Sequence, residues 1–311
     1  MHHGTVDVPL IQSSILSVPP LCRDDRLAPN RAEMAKLARY LHDGDVKTLM
    51  YGGNALFYHV GVNEYAALLD ALEETAPEDA WVIPSIGPDY GRMMEQAAVL
   101  RGRRFPAAMV LPATFPVTSE GLEIGIRHAA EAIGEPVIAY VKHEGGLEPD
   151  QLARLVNEGV ACAVKYAIVR DDPSKDDFLD RLLDGVGSAD RVISGIGERP
   201  VIDHWAKGLR AFTSGSVCVA PALSNEIRLA LQNGDTAKAQ QLRAHFIPLE
   251  DLRDGISPIR VLHEAVDGAG IAATGPMLPL MTRLSGQSAA EVATVASALA
   301  ALNTPTRHAA E

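Results

Sequence analysis

The strongest constraint on the fold of this chain is an alternation. Short apolar runs occupy residues 15–19, 46–50, 81–83, 107–111, 137–141, 161–164, 191–194 and 209–212. Most are rich in Val, Ile, Leu or Ala, as expected of parallel strands covered on both faces. Between them lie amphipathic stretches opened by helix-start residues: Pro29, Asn63, Asp89, Thr118, Pro149, Pro173 and the Arg199-Pro200 pair. Eight β/α repeats favour a closed (β/α)₈ TIM barrel, within the α/β class, over an open doubly wound sheet. No Gly-x-Gly-x-x-Gly follows the first run, which speaks against a dinucleotide-binding fold.

After residue 222 the strand signal ends. Residues 225–233, 236–252, 258–267 and 289–302 read as helices that cannot extend the barrel. The expected organisation is a barrel over residues 1–222 and a C-terminal helical region over 223–311. The polar tail from Asn303 to Glu311 is expected to fray.

The 311 residues, 47% hydrophobic and 22% charged, are enough to bury a large core. A net charge of -12 repels phosphate backbones, so nucleic acid is not an expected partner. Cys22, Cys162 and Cys218 are widely spaced, which fits reduced, buried thiols in a cytoplasmic protein. There is no charged-then-apolar leader and no apolar run near 18 residues. A soluble chain without a membrane partner is therefore expected.

Lys165 is the most informative single residue. It follows the apolar run 161–164, which carries its ammonium group toward the inside of a sheet. Burial disfavours the charged form and leaves a neutral amine able to attack a carbonyl. The alternative is a strand-end lysine snorkelling to solvent. Tyr140, in the run before it, supplies a phenolic proton carrier, and the two together point to Schiff-base chemistry on an oxo substrate.

In barrels of this kind the site lies at the C-terminal ends of the strands. There the second run leads into Gly52-Gly53-Asn54, either a turn or a cradle of backbone amides for a carboxylate. The fourth leads to Thr114, the fifth to Lys142 and His143, the seventh to Gly195 and Glu198, and the eighth to the hydroxyls of the 213–216 loop, Ser214 among them. His59, His143 and His204 are isolated and no HExxH pattern occurs, so no metal site is expected. Asp24-Asp25 and Asp171-Asp172 read as solvated loop charges, and Asp176-Asp177 as a helix's first turn. Nothing matches Gly-x-Ser-x-Gly or a P-loop, so neither serine acyl transfer nor nucleotide hydrolysis is supported.

These residues, in this order, resemble the dihydrodipicolinate synthase / N-acetylneuraminate lyase family of class I aldolases over roughly residues 10 to 300. Gly52-Gly53-Asn54-Ala55 stands where the family has its Gly-Thr-Thr-Gly carboxylate loop. Pro136-Val-Ile-Ala-Tyr140 matches the strand ending in the family's tyrosine. Val164-Lys165 matches the Schiff-base lysine, and Ser194-Gly195 the Ser-Gly after the seventh strand. The resemblance implies a homo-oligomer, tetrameric or dimeric, in which Lys165 attacks the C2 carbonyl of a 2-oxo acid. It implies that the Gly53 and Asn54 amides hold the carboxylate, that Tyr140 moves protons, and that no cofactor is needed beyond the covalent imine. Thr114, Gly195, Glu198 and Ser214 are then the candidates for recognising the rest of the substrate.

The chain also departs from the family pattern. Both threonines of the carboxylate loop, one of them part of the relay, are absent and the pair reads Gly53-Asn54; the second relay tyrosine is replaced near Ala113-Thr114. The arginine of the lysine-pathway enzymes is replaced at Gly145, and one member of the lyases' acidic pair at Gly197. Three readings remain: a lyase making or cleaving a C–C bond on pyruvate or a keto-deoxy sugar acid, a keto-deoxy sugar acid dehydratase, and a non-catalytic homologue that binds a small 2-oxo acid.

Overall fold

A computed structural model describes residues 1–304. The expectation for the tail therefore lies, past Thr304, outside the described residues. Nine parallel strands follow in the order β1 (Leu16–Ser17), β2 (Thr48–Met50), β3 (Trp81–Ile83), β4 (Ser85–Ile86), β5 (Ala108–Val110), β6 (Val137–Val141), β7 (Ala161–Tyr166), β8 (Val192–Ser194) and β9 (Ala211–Ser214). Strands β3 and β4 are two halves of one strand parted by Pro84. The first half pairs with β2 and the second with β5, while β9 pairs back onto β1. The sheet therefore closes on itself as an eight-stranded barrel.

The helices are α1 (Val8–Gln12), α2 (Arg31–Asp43), α3 (Val62–Thr75), α4 (Tyr90–Leu100), α5 (Ser119–Ile133), α6 (Pro149–Asn157), α7 (Asp177–Val186), α8 (Val201–Ala206), α9 (Pro221–Gln232), α10 (Thr236–Ala244), α11 (Ile247–Gly255), α12 (Pro258–Gly268) and α13 (Gly286–Ala300). Side-chain caps at Asn30, Thr118 and Asp176 satisfy first-turn amides of α2, α5 and α7. Leu16, Leu49, Val82, Met109, Ile138, Val164, Ile193 and Phe212 put the core in the barrel wall, with every strand residue but Tyr140 buried. That two-sided burial is why the strand runs lack a polar alternation.

Three details differ from the sequence-based expectation. The last strand lies two residues later than the apolar run 209–212, because Leu209 and Arg210 only lead from the turn at 207–208 into it. The helix expected over 236–252 is broken at His245-Phe246, where Pro248 opens a second helix, α11. Helix α9 packs on α2: the Tyr40 hydroxyl donates to Val219 O at 2.7 Å, and Gly44 is without a side chain where Pro221 sits. The ring of barrel helices thus closes through α9, and among the described residues α10–α13 follow it. Among the described residues no helix is long and apolar enough to cross a membrane.

Candidate active site

Lys165 and Tyr140 are direct register partners on β7 and β6. Alternation along β7 decides which way the lysine points. Tyr166 faces outward, its hydroxyl bonded to Asp176 at the start of α7 and its ring 6.1 Å from Phe178. Lys165, one residue earlier, therefore faces the barrel interior. Its Nζ lies 4.4 Å from the centroid of the Tyr140 ring, on the ring's face. The residue is only 5% exposed. Burial first, and then the charges of Lys142 and Arg253, bring its pKa down to about 7. Burial, and then the neighbouring Tyr58, hold the Tyr140 phenol well above the ordinary tyrosine range, so it rests protonated.

The loop after β2 is shaped by close approach. A Cβ on Gly52 would lie 2.6 Å from Met109 Cε, and Leu56 adopts a left-handed φ of 58° to turn the chain into the short helix at Phe57–His59. The Asn54 side chain donates to Val18 O at 2.9 Å. From the appended region, His263 of α12 donates through Nε2 to Asn54 O at 2.8 Å. Burial lowers the His263 pKa to about 4, which keeps the imidazole neutral. Among the described residues the amides of Gly53 and Asn54 have no acceptor, while those of Ala55, Leu56 and Phe57 bond back to Gly52 and Gly53. The Tyr58 ring packs over Gly53, 3.5 Å from where a Cβ would stand.

The other four candidates sit elsewhere. Glu198 and Ser214 are bonded to each other at 2.8 Å, and the second carboxylate oxygen of Glu198 accepts from Ser224 Oγ at 2.7 Å. Both residues are buried, at the junction of β8, β9 and α9. Burial, and then Glu250, raise the Glu198 pKa to about 7. Gly195 is a packing residue: a Cβ there would lie 2.6 Å from Tyr166 O, where its own amide donates across the β7–β8 junction. Thr114 is exposed in the loop after β5.

Two buried residues of the appended helices carried no recognisable sequence signal. Glu250 and Arg253 of α11 form a buried pair at 2.7 Å, with Ser216 also bonded to Glu250. They fill the room left by two glycines. A Cβ on Gly197 would lie 2.8 Å from Glu250 Oε2, and one on Gly215 would lie 2.6 Å from Arg253 Nη2. The place where the sequence lacks half of an acidic pair is thus occupied by a glutamate from another part of the chain. Asp176, read as an ordinary first-turn charge, is a buried N-cap held by Arg170 and Tyr166.

A cavity of about 650 Å³ opens beside Tyr140 between the ends of β5 and β6 and the starts of α4 and α5. Its walls include Met93, Leu111, Phe115, Leu122, Ile126 and Leu147, with Lys142 and His143 on the β6 side. Among the described residues no cluster of three or more His, Cys, Asp or Glu is placed to hold a metal ion.

No family model matches the chain. A probable 5-dehydro-4-deoxyglucarate dehydratase of Cereibacter sphaeroides is 27% identical over 259 residues, 78% of this chain and 80% of that protein. A 4-hydroxy-tetrahydrodipicolinate synthase of Methanopyrus kandleri is 30% identical over 168 residues, 52% of this chain and 53% of that protein. Among solved structures, a dihydrodipicolinate synthase from Bacillus clausii superposes with a TM-score of 0.82 at 21% identity, covering 94% of this chain and 99% of that one. The N-acetylneuraminate lyase of Aliivibrio salmonicida gives 0.79 at 17%, covering 92% and 96%. At these identities the structural matches establish the barrel fold.

Proposed function

We propose that the chain is a divergent member of the dihydrodipicolinate synthase / N-acetylneuraminate lyase family, a class I lyase acting on a 2-oxo acid through an imine on Lys165. The observation that carries this reading is the in-register pair: a buried lysine with a pKa of about 7 lying against the ring of a protonated tyrosine. At neutral pH about half of such lysines are free amine, against roughly one in a few thousand for an unperturbed lysine.

The cycle needs only these two groups and the amide cradle. The Gly53 and Asn54 amides hold the substrate carboxylate and present C2 to the lysine. The Lys165 amine adds to C2, and Tyr140 carries the proton from nitrogen to the C2 oxygen. Tyr140 then donates its own proton as that hydroxyl leaves as water, giving the protonated imine. For cleavage, the tyrosinate takes the C4 hydroxyl proton, the C3–C4 bond breaks, and its electrons pass into the imine to form the enamine. The aldehyde leaves, Tyr140 protonates C3, and water adds to the imine while returning a proton to Tyr140. Collapse of the carbinolamine, with proton transfer from oxygen to nitrogen, releases pyruvate and the free amine. The imine is the electron sink that makes the carbanion accessible.

A dehydratase of a keto-deoxy sugar acid is the second reading, favoured by the relatives so named. It forms the same imine but expels a hydroxyl instead of an aldehyde.

Borohydride reduction in the presence of pyruvate and a set of keto-deoxy sugar acids, followed by peptide mass spectrometry, tests the proposal. A reduced adduct on the Lys165 peptide, lost in Lys165→Ala, supports it. No adduct with any acid sinks it in favour of a non-catalytic binding protein. Products separate the two catalytic readings: pyruvate plus an aldehyde for the lyase, an intact or decarboxylated skeleton for the dehydratase.

A further inference from the structure

Two backbone amides are an incomplete seat for a carboxylate. We propose that the Tyr58 hydroxyl gives the carboxylate of the 2-oxo acid a third hydrogen bond, beside those from the amides of Gly53 and Asn54, and so sets the preference for an acid over its neutral analogue. The inference rests on the reading of the cradle and Lys165 above and adds a binding residue to it.

The cradle is short of donors. A carboxylate offers about four acceptor positions, and among the described residues the amides of Gly53 and Asn54 are the two of this loop left without acceptors. Gly53 has no side chain, and the Asn54 side chain already donates to Val18 O at 2.9 Å. The fold brings Tyr58 back to this point. The left-handed Leu56, with the amides of Ala55, Leu56 and Phe57 bonded to Gly52 and Gly53, curls the loop onto itself. Neighbouring rings then part. Phe57 goes into the core, fully buried and edge-on to Tyr65 at 6.3 Å. Tyr58 stays half-buried, and its Cε2, the ring carbon next to the one bearing the hydroxyl, stands 3.5 Å from where a Gly53 Cβ would be. Arg92 of α4 holds the residue there by donating to Tyr58 O.

A second observation comes from the far side of the site. After burial, it is Tyr58 that holds the Tyr140 phenol protonated, so the two phenols are near enough to repel as anions. Tyr58 therefore neighbours both the cradle and Tyr140, the residue on whose ring the Lys165 amine lies. A 2-oxo acid with its carboxylate in the cradle and its C2 at Lys165 spans that same interval. The Tyr58 hydroxyl has no hydrogen-bond partner among the described residues, and burial pushes its pKa up to about 12, so it stands as an unused donor. Loss of one hydrogen bond to a charged group weakens binding about tenfold or more.

Lactate carries the carboxylate of pyruvate without its carbonyl, so it reports the cradle independently of the imine. In calorimetric titration of the full chain, lactate should bind at least tenfold tighter than lactamide. Tyr58→Phe, which keeps the ring, should weaken lactate at least tenfold, leave lactamide within twofold and leave the urea unfolding midpoint unchanged. Borohydride trapping reads the same residue through the reaction. In Tyr58→Phe the pyruvate concentration giving half-maximal labelling of Lys165 should rise at least tenfold, with labelling at saturation within twofold of wild type. Lactate bound equally by the two proteins, or by the wild type no better than lactamide, overturns the proposal. So does reduced labelling at saturation with an unchanged half-saturating concentration, which would place Tyr58 in the imine step instead. Lactate behaving as expected without any Lys165 adduct leaves Tyr58 as the carboxylate donor and sinks the Lys165 reading. An adduct on Lys165 with lactate indifferent to Tyr58→Phe does the reverse.

Discussion

Replacing Lys165 by methionine should make the protein more stable, by an amount that shrinks as the pH rises. The lysine titrates near 7 in the fold against 10.5 in the unfolded chain, because burial, and then the charges of Lys142 and Arg253, disfavour its ammonium. The folded pKa is the lower one, so between pH 7 and 10.5 the unfolded state binds more protons and wild-type stability climbs with pH. Below pH 7 the full burden of burying the ammonium is present. At about 1.4 kcal/mol per pH unit, the lysine costs about 4 kcal/mol at pH 7, about 2 at pH 9, and less than about 1 at pH 10.5. Methionine fills similar space without a titrating group. Urea unfolding of both proteins, at one fixed protein concentration and at half-unit steps from pH 7 to 10, gives the difference directly. Packing offsets shift that difference uniformly, so its slope is the readout. A difference that stays flat across the range would refute the claim that burial holds this amine neutral, and with it the physical basis for nucleophilic attack.

Three further outcomes follow from the same geometry. Glu198→Gln should remove a stability loss seen as pH rises from 4.5 through about 7, because the folded carboxyl is the more readily protonated one; denaturant midpoints of the two proteins should converge at low pH and separate above 7. Gly195→Ala should destabilise by about 1–3 kcal/mol or more, since its Cβ would stand 2.6 Å from Tyr166 O and only movement of β7 against β8 relieves that; an unchanged melting temperature would contradict the packing role. Gly215→Ala should displace the Arg253–Glu250 pair and raise the apparent pKa for borohydride trapping at Lys165, because a cation beside the amine retreats; a pH profile identical to wild type would remove Arg253 from the environment of the lysine.

What was legible in the sequence followed local rules. Apolar runs spaced by amphipathic stretches announce a barrel because each strand, buried on both faces, must be apolar throughout and each intervening helix must bury one stripe. Lys165 stood out because a charge is rarely placed inside such a run without use. The Gly52-Gly53-Asn54 cradle was visible as a turn sequence, yet the free amides at Gly53 and Asn54 depend on anchors at Val18 and His263, the second of them over two hundred residues away. The junctions were less legible. Glu198 and Ser214 had the right residue types at the right strand ends, but their hydrogen bonds go to each other and to Ser224.

The sequence by itself therefore determined the barrel, the lysine–tyrosine pair and the loop beside it, since period, burial and chemistry are written within a few residues of each. Only the tertiary structure decided what surrounds the amine. Arg253 and Glu250 come from α11, into spaces that Gly197 and Gly215 leave open, and the cavity beside Tyr140 is formed by β5, β6, α4 and α5. The physical reason is one of range. Backbone periodicity acts over three or four residues, whereas burial, charge and cavity shape at a site are sums over elements that meet only after the chain has closed.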